Sequence, residues 1–409
     1  MRLIRSASNP SKFLGNEEKY LKKVLASESW SSTGGSWSNK LESEFANLHS
    51  KKYAVAMNSG TATLQSALLA LGVKPGDEVI TPGLTVIMDT TAILHCHAVP
   101  VYVDIQSDTF NLDPKLLEKS ITNKTKAIIV VSLYGLPANM EGILEVSRKF
   151  KIPIIEDNAQ SMLSKYNGKV VGSFGEISSW SFENTKHISA GEGGIVTTDD
   201  EQLAIKLRKI GGHGFKNLRA AEGRIRLNQD IFQDPNYKRH DVLGWNFRLP
   251  EFNAAIALAQ LERVDELVRL RQQSAEIFLN VLLDSGIFTP QFVPQNCEHS
   301  YYSLAAVYHG HEKFGVSWHE LRKKYISEGG DGIYGAWSVP YLEPLMETGE
   351  FRKSNPDVYR ETYYLQGICP VAESIQPKLM QFKTNYRDIK LAKRKAKILD
   401  QILRSIRNA

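Results

Sequence analysis

The apolar positions of this chain follow two rhythms. Up to about residue 157, short continuous apolar runs alternate with stretches of helical period. The runs lie at 53–57, 78–81, 100–104, 127–131 and 153–157. Between the first two, residues 61–71 carry apolar side chains at helical spacing. Runs of this length separated by helices predict crossover units and a largely parallel sheet. Strands of such a sheet are covered on both faces, so their apolar residues are contiguous and do not alternate. From about residue 250 the pattern changes. Residues 251–271 predict one long amphipathic helix with Ala254, Ala255, Leu258, Leu261 and Val264 on one side, continuing towards Leu282. Beyond 301, short strand-like runs (303–308) mix with helices and end in a basic amphipathic helix over about 386–407. The expected architecture is α/β. A large domain (1–250) has a mostly parallel central sheet flanked by helices and an N-terminal helical segment, and a smaller α+β domain (251–409) follows.

Some segments resist this pattern. Residues 30–37 form a Ser/Gly-rich patch between two helical pieces. Residues 223–243 are polar and predict a long loop, and loops of that length are usually functional or mobile. No internal repeat or low-complexity tract interrupts the chain.

Composition narrows the picture only modestly. The chain has 409 residues, 42% of them hydrophobic and 23% charged, as expected of a soluble globular enzyme with more than one core. Fifty basic against 45 acidic residues give a formal net charge of +5. That demands neither nucleic acid nor membrane and is compatible with anionic small substrates. Cys96, Cys297 and Cys369 are odd in number, far apart and without metal-ligand spacing, which predicts reduced thiols in a cytoplasmic protein. The N-terminus, residues 1–6, has no long apolar run behind it, which argues against a signal peptide. No stretch has the roughly 20 apolar residues of a membrane helix.

Four stations carry candidate chemistry. Asn58-Ser59-Gly60-Thr61-Ala62 follows a strand and opens a helix. The free N–H groups and dipole of such a turn bind anions, but the same residues also suit an ordinary helix cap. Asp157 ends the run Ile154-Ile155-Glu156-Asp157, where open α/β sheets place their ligands. A carboxylate there can face a protonated pyridine nitrogen; a metal site or an inert strand-end acid are the alternatives. Lys186 stands between the apolar run ending at Ser181-Phe182 and the turn Gly191-Glu192-Gly193-Gly194. A surface charge is the usual role of a lone lysine. The flanking strands argue here for a desolvated amine able to attack an aldehyde. The fourth station, Gly244-Trp245-Asn246-Phe247-Arg248, leads into the long helix, and an Asn in that place commonly caps or turns.

In this order and register the four stations resemble the DegT-type sugar aminotransferase family, over roughly residues 15–400. The resemblance implies the aspartate aminotransferase fold (fold type I) and pyridoxal 5′-phosphate as cofactor. It implies that Lys186 holds the cofactor covalently and acts as acid and base for the proton shift, that Asp157 pairs with the pyridine nitrogen, and that Gln160 touches the ring hydroxyl. It gives the phosphate to Gly60, Thr61, the amide of Ala62 and Ser181, and to Asn246 reaching across from a neighbouring subunit, hence a homodimer. Val86 stands where the family commonly has an aromatic residue stacked on the ring, and valine offers less area and no π contact. The implied reaction moves an amino group from an amino acid, with L-glutamate the expected donor, to a keto sugar carried on a nucleotide. No metal, nucleic acid or membrane partner is expected.

Alternatives on the same scaffold stay open. Sugar 3-dehydratases related to the family replace the lysine with histidine, against which Lys186 argues; His187 next door is expected to be a packing residue. A cofactor-binding regulator would need a DNA-reading domain, and no basic recognition helix is visible before residue 15 or after 385. Tyr134, His213, Trp337 and Tyr341 suit a pocket, but each suits the core or the surface as well.

Overall fold

The computed structural model describes residues 14–408, so the reading of residues 1–6 lies outside the described residues. Helices α1 (Glu17–Leu25) and α2 (Trp37–Leu48) precede the sheet. Then come β1 (Tyr53–Met57), α3 (Gly60–Ala70), β2 (Glu78–Pro82), α4 (Ile87–His95), β3 (Val99–Val103), β4 (Thr125–Val131), α5 (Met140–Phe150), β5 (Ile154–Asp157), β6 (Ile177–Ser181), β7 (Gly194–Thr198) and α6 (Glu201–Gly211). Each predicted apolar run has become a strand. The sheet order is β1-β7-β6-β5-β4-β2-β3. Pairings from β6 through β3 are parallel, and β7 alone runs antiparallel to its neighbours β1 and β6.

Contiguous apolar runs are needed because both faces of the sheet are covered. Val55 and Met57 join the cluster beneath α3 with Ile129 and Val131, whereas Ala54 and Ala56 face Phe45 and Trp180 on the other side. Ile128 and Val130 pack against α5 through Met140 and Ile143. Burial of each such aliphatic side chain stabilises the fold by about 1.5–3 kcal/mol.

The predicted long helix is two helices, α7 (Glu251–Leu261) and α8 (Val264–Ser285). Between them Arg263 leaves helical geometry (φ −117°, ψ 13°), and Glu262 is held by Asn16 Nδ2 at 2.7 Å and by the Tyr20 hydroxyl. Leu258 and Leu261 belong to the α2 cluster, whereas Phe278 and Leu282 belong to the C-terminal core. The turn lets each half keep its own apolar face buried.

The C-terminal part builds a second, antiparallel sheet from β8 (Phe288–Pro290), β9 (Leu304–Tyr308), β10 (Tyr334–Gly335) and β11 (Leu379–Phe382), in the order β8-β9-β11-β10. Helix α9 (Trp318–Ser327) and the basic helix α10 (Ile389–Arg407) pack with it. In α10, Ala392, Ala396, Leu399, Ile402, Leu403 and Ile406 are buried, and Lys390, Lys393, Arg394 and Lys397 point to solvent. That is the solvated face over an apolar one which the sequence pattern implied. The 223–243 stretch is irregular except for a short helix, Gln229–Gln233. All three cysteines are free. Among the described residues, no helix is long and apolar enough to cross a membrane.

Candidate active site

The strand order brings the ends of β1, β2, β4, β5 and β6 to one edge of the sheet. Reversal of β7 makes its first residue the meeting point, since Gly194 pairs with both Met57 and Ser181. A Cβ on Gly194 would lie 2.7 Å from the Ser59 carbonyl oxygen, so only glycine lets β7 approach this turn.

Here the Asn58–Ala62 station opens α3. Ser59 is the N-cap, and its Oγ accepts from the Ala62 N–H at 3.0 Å. A helix leaves its first N–H groups without intrahelical partners, so Gly60 and Thr61 present theirs. Gly60 packs against β6, where a Cβ would come 2.9 Å from the Ser181 Cβ. The two stations therefore share one cradle, with half-buried Thr61 and Ser181 at its rim. The arrangement is a capped helix whose first two N–H groups are left free by the cap.

Asp157 ends β5 and is 3% exposed. Its Oδ1 accepts from the Ala159 N–H at 2.9 Å. Burial raises its pKa, opposed by that bond and by the charge of Lys186. Glu156, one residue back, points to the other face of the strand. It accepts from the amides of Gly172 (2.7 Å), Phe174 (2.8 Å) and Gly175 (2.7 Å). The adjacent acids thus do not converge, and among the described residues no group of three His, Cys, Asp or Glu side chains is placed to hold a metal.

Gln160 is buried, and its Oε1 accepts from the Tyr134 N–H at 2.8 Å. This bond holds Tyr134 in a left-handed conformation (φ 61°), uncommon for a non-glycine residue, and leaves the Gln160 NH₂ as the group to donate. Tyr134 belongs beside the site, whereas Tyr341 is core and His213 and Trp337 are exposed.

Lys186 is half-buried in the loop between β6 and β7. Its Nζ lies 4.7 Å from the centroid of the Tyr302 ring, and its charge acts on Asp157 and on Asp89. The loop is braced from α8. The buried Arg271 guanidinium donates to the carbonyls of Thr185 (2.6 Å), Lys186 (3.1 Å) and Tyr302 (2.6 Å). His187 is a packing residue, buried with Nε2 3.1 Å from the Ser300 carbonyl. Burial holds its pKa well below the usual histidine range.

Val86 is the half-buried N-cap of α4, beside Thr85 and one turn before Asp89. Asn246 is different. Its carbonyl accepts from Asn58 Nδ2 at 3.4 Å, but the residue is exposed. Asp89, Arg271 and Tyr302 are the residues that sequence reasoning missed. Only for Asp89 was there a signal, an acid inside the otherwise uncharged stretch 82–94.

The profile of the DegT/DnrJ/EryC1/StrS aminotransferase family matches residues 14–377. The chain belongs to that family. A GDP-perosamine synthase from Escherichia coli O157:H7 is 39% identical over 264 residues, 64% of this chain and 68% of the relative. The solved aminotransferase from Psychrobacter cryohalolentis superposes with a TM-score of 0.82 at 27% identity, covering 99% of this chain and 100% of that one. The E. coli GDP-4-keto-6-deoxy-D-mannose-3-dehydratase with bound hydrated PLP superposes at 0.80 with 25% identity, covering 97% and 100%.

Aminotransferases of the DegT family are pyridoxal phosphate enzymes of fold type I, and the geometry here fits that cofactor. A phosphate needs unpaired N–H groups, and the α3 N-terminus supplies them beside Ser181. A pyridinium needs a buried acid, and Asp157 is one. An aldehyde needs an amine within reach of that acid's field, and Lys186 is placed so.

Proposed function

We propose that this aminotransferase moves an amino group from an amino acid, with L-glutamate as donor, to a keto sugar carried on a nucleotide diphosphate. It would work in the cytoplasm as a homodimer and serve amino-sugar and surface-polysaccharide synthesis. The observation that carries this reading is the half-buried Lys186 amine, 4.7 Å from the Tyr302 ring and near enough for its charge to act on the buried acid Asp157. Similarity to a GDP-perosamine synthase supports the substrate class.

Bound pyridoxal phosphate supplies the electron sink that lets a carbon next to nitrogen lose and regain a proton. The chain's own residues do the rest. Gly60, Thr61 and Ser181 would anchor the phosphate, joined by the Ala62 amide once it exchanges its bond to Ser59 Oγ for the phosphate. Asp157 would hold the ring nitrogen and favour its protonated form, Gln160 would donate to the ring hydroxyl, and Val86 would pack on the ring. Lys186 moves the proton with its Nζ. Asn246 of one protomer completes the phosphate site of its partner. A dehydratase reading is disfavoured because the related dehydratases use histidine where this chain has Lys186.

The test is a panel of nucleotide-linked keto sugars with glutamate, followed by 2-oxoglutarate release, together with borohydride trapping. We expect release with one sugar class, a covalent adduct at Lys186, and loss of both with Lys186→Ala. Wild-type turnover in that variant, or no adduct at position 186, would refute the assignment.

A further inference from the structure

Beneath the proposed ring site lies a second acid that the function above leaves unused. Asp89, in the first turn of α4, is completely buried. Its Oδ2 accepts from Thr85 Oγ1 at 2.6 Å, and its Oδ1 meets no N–H or O–H donor. The Asp157 carboxyl is close enough to Asp89 for a hydrogen bond and for their charges to act on each other. Two buried carboxylates in contact cannot both carry charge, and a buried oxygen without a donor is costly. One proton between them removes both defects.

We infer that Asp89 and Asp157 share a single proton, held by Asp89, whose O–H donates to Asp157 and keeps that acid ionised beneath the cofactor ring. Asp157 is the member that can bear the charge, because the Ala159 N–H favours its anion, as does the charge of Lys186 while that amine is free. Asp89 has only the Thr85 hydroxyl, and burial followed by the neighbouring Asp157 charge pushes its pKa well above the ordinary range. The first-turn position of Asp89 favours its charge but supplies no donor. The other titratable groups facing the pair are Lys186 and the Tyr102 phenol. That phenol is kept neutral by burial and bonds Thr90 at 2.9 Å.

Functionally the inference rests on Asp157 being the ring-nitrogen partner. A hydrogen bond from a neutral acid spreads the Asp157 charge and lowers its proton affinity. Asp157 then remains an anion opposite the ring N–H and does not capture that proton. The proton stays on Asp89 throughout, which makes Asp89 a positioning residue and not a catalytic one. A protonated aspartate that accepts from Thr85 and donates to Asp157 has the same bonding pattern as asparagine.

The experiment compares wild type, Asp89→Asn and Asp89→Leu as purified holoenzymes. Infrared difference spectra of wild type minus Asp89→Asn should show a carboxylic-acid C=O stretch at neutral pH; its absence would overturn the shared proton. With ¹⁵N-labelled cofactor, the ring-nitrogen signal and its pH titration should be retained in Asp89→Asn and displaced in Asp89→Leu. Cofactor affinity in the leucine variant should fall about tenfold to a hundredfold, the loss of one charge-assisted hydrogen bond. An asparagine variant that behaves like the leucine one, or a leucine variant that behaves like wild type, overturns the inference. Should the leucine variant not fold, the infrared band and the asparagine variant still decide. Because the infrared band does not require the cofactor adduct, failed trapping at Lys186 would sink the functional reading while leaving the carboxyl pair independently tested.

Discussion

At the scale of single residues, the two acids that end β5 divide structure from chemistry. Glu156 accepts the Phe174 and Gly175 amides at Oε1 and the Gly172 amide at Oε2, with the Ser178 hydroxyl 3.2 Å from Oε1, so its carboxylate is engaged in holding the fold. Glu156→Gln would turn an NH₂ towards those donors. We expect a loss of about 1–3 kcal/mol in urea unfolding, with the borohydride adduct at Lys186 still formed. Asp157→Asn should do the reverse. Burial already penalises the Asp157 charge, so the neutral amide should cost little stability. Turnover should fall on the order of a hundredfold or more with the loss of an anion aimed at the developing ring charge. Equal effects of the two substitutions on stability and turnover would show that the strand end is not partitioned in this way.

At the scale of elements, the loop between β6 and β7 is held from outside the sheet. Arg271 of α8 binds the Thr185 and Lys186 carbonyls on one side and the Tyr302 carbonyl and Thr384 Oγ1 (3.3 Å) on the other. It therefore ties the lysine loop to the segments flanking β9 and β11. Arg271→Met would leave three partly buried carbonyls without this donor. We expect a loss of about 3 kcal/mol or more, and hydrogen exchange at the Lys186 amide should rise more than exchange within β4. Uniform exchange across the chain would count against a local brace. This brace was not legible in the sequence, because Arg271 and Lys186 are 85 positions apart and only the turn at Arg263 brings α8 across the site. The strands were legible because burial on both faces forces contiguous apolar residues, and each such run marks itself. Lys186, Asp157 and the Asn58–Ala62 turn were legible because polar residues at strand ends break those runs. The division of α7 from α8 was hidden for the opposite reason, since Leu258, Leu261 and Val264 keep helical spacing through the break.

At the scale of the whole molecule, two consequences follow from what burial and exposure do to the chain. Burial lowers the pKa of His49 to about 4 and that of His299 to about 3, and holds His187 well below its ordinary value of 6.5. These rings stay neutral in the fold, whereas the unfolded chain protonates them below about pH 6.5. Their contribution is complete above that pH and is lost as pH falls towards the folded values. The loss approaches about 1.4 kcal/mol per pH unit for each ring. The raised pKa of Asp89 has the opposite sign, since the fold holds that proton longer than the unfolded chain, and it offsets part of the loss. Urea unfolding at pH 7.5 and 5.5 should therefore show lower stability at the acid value, and His49→Gln should reduce the difference. No pH dependence across that window would mean these rings are not held neutral. Exposure bears on assembly. Asn246 follows Val242 and Leu243, both exposed, with Leu243 at 83%, and it flanks the N-terminus of α3 through Asn58 without being enclosed. Residues so placed suit a contact with a second copy related by twofold symmetry, which would carry each Asn246 into the other site. That arrangement can be separated from a role within one chain by mixing two inactive variants, Lys186→Ala and Asn246→Ala. In a mixed dimer, one site would draw its lysine from one subunit and its asparagine from the other, and would be whole. Equal mixing with free exchange should therefore restore about a quarter of wild-type turnover. If Asn246 served its own chain, no site in any mixture would hold both residues, and the mixture would stay as inactive as its parts.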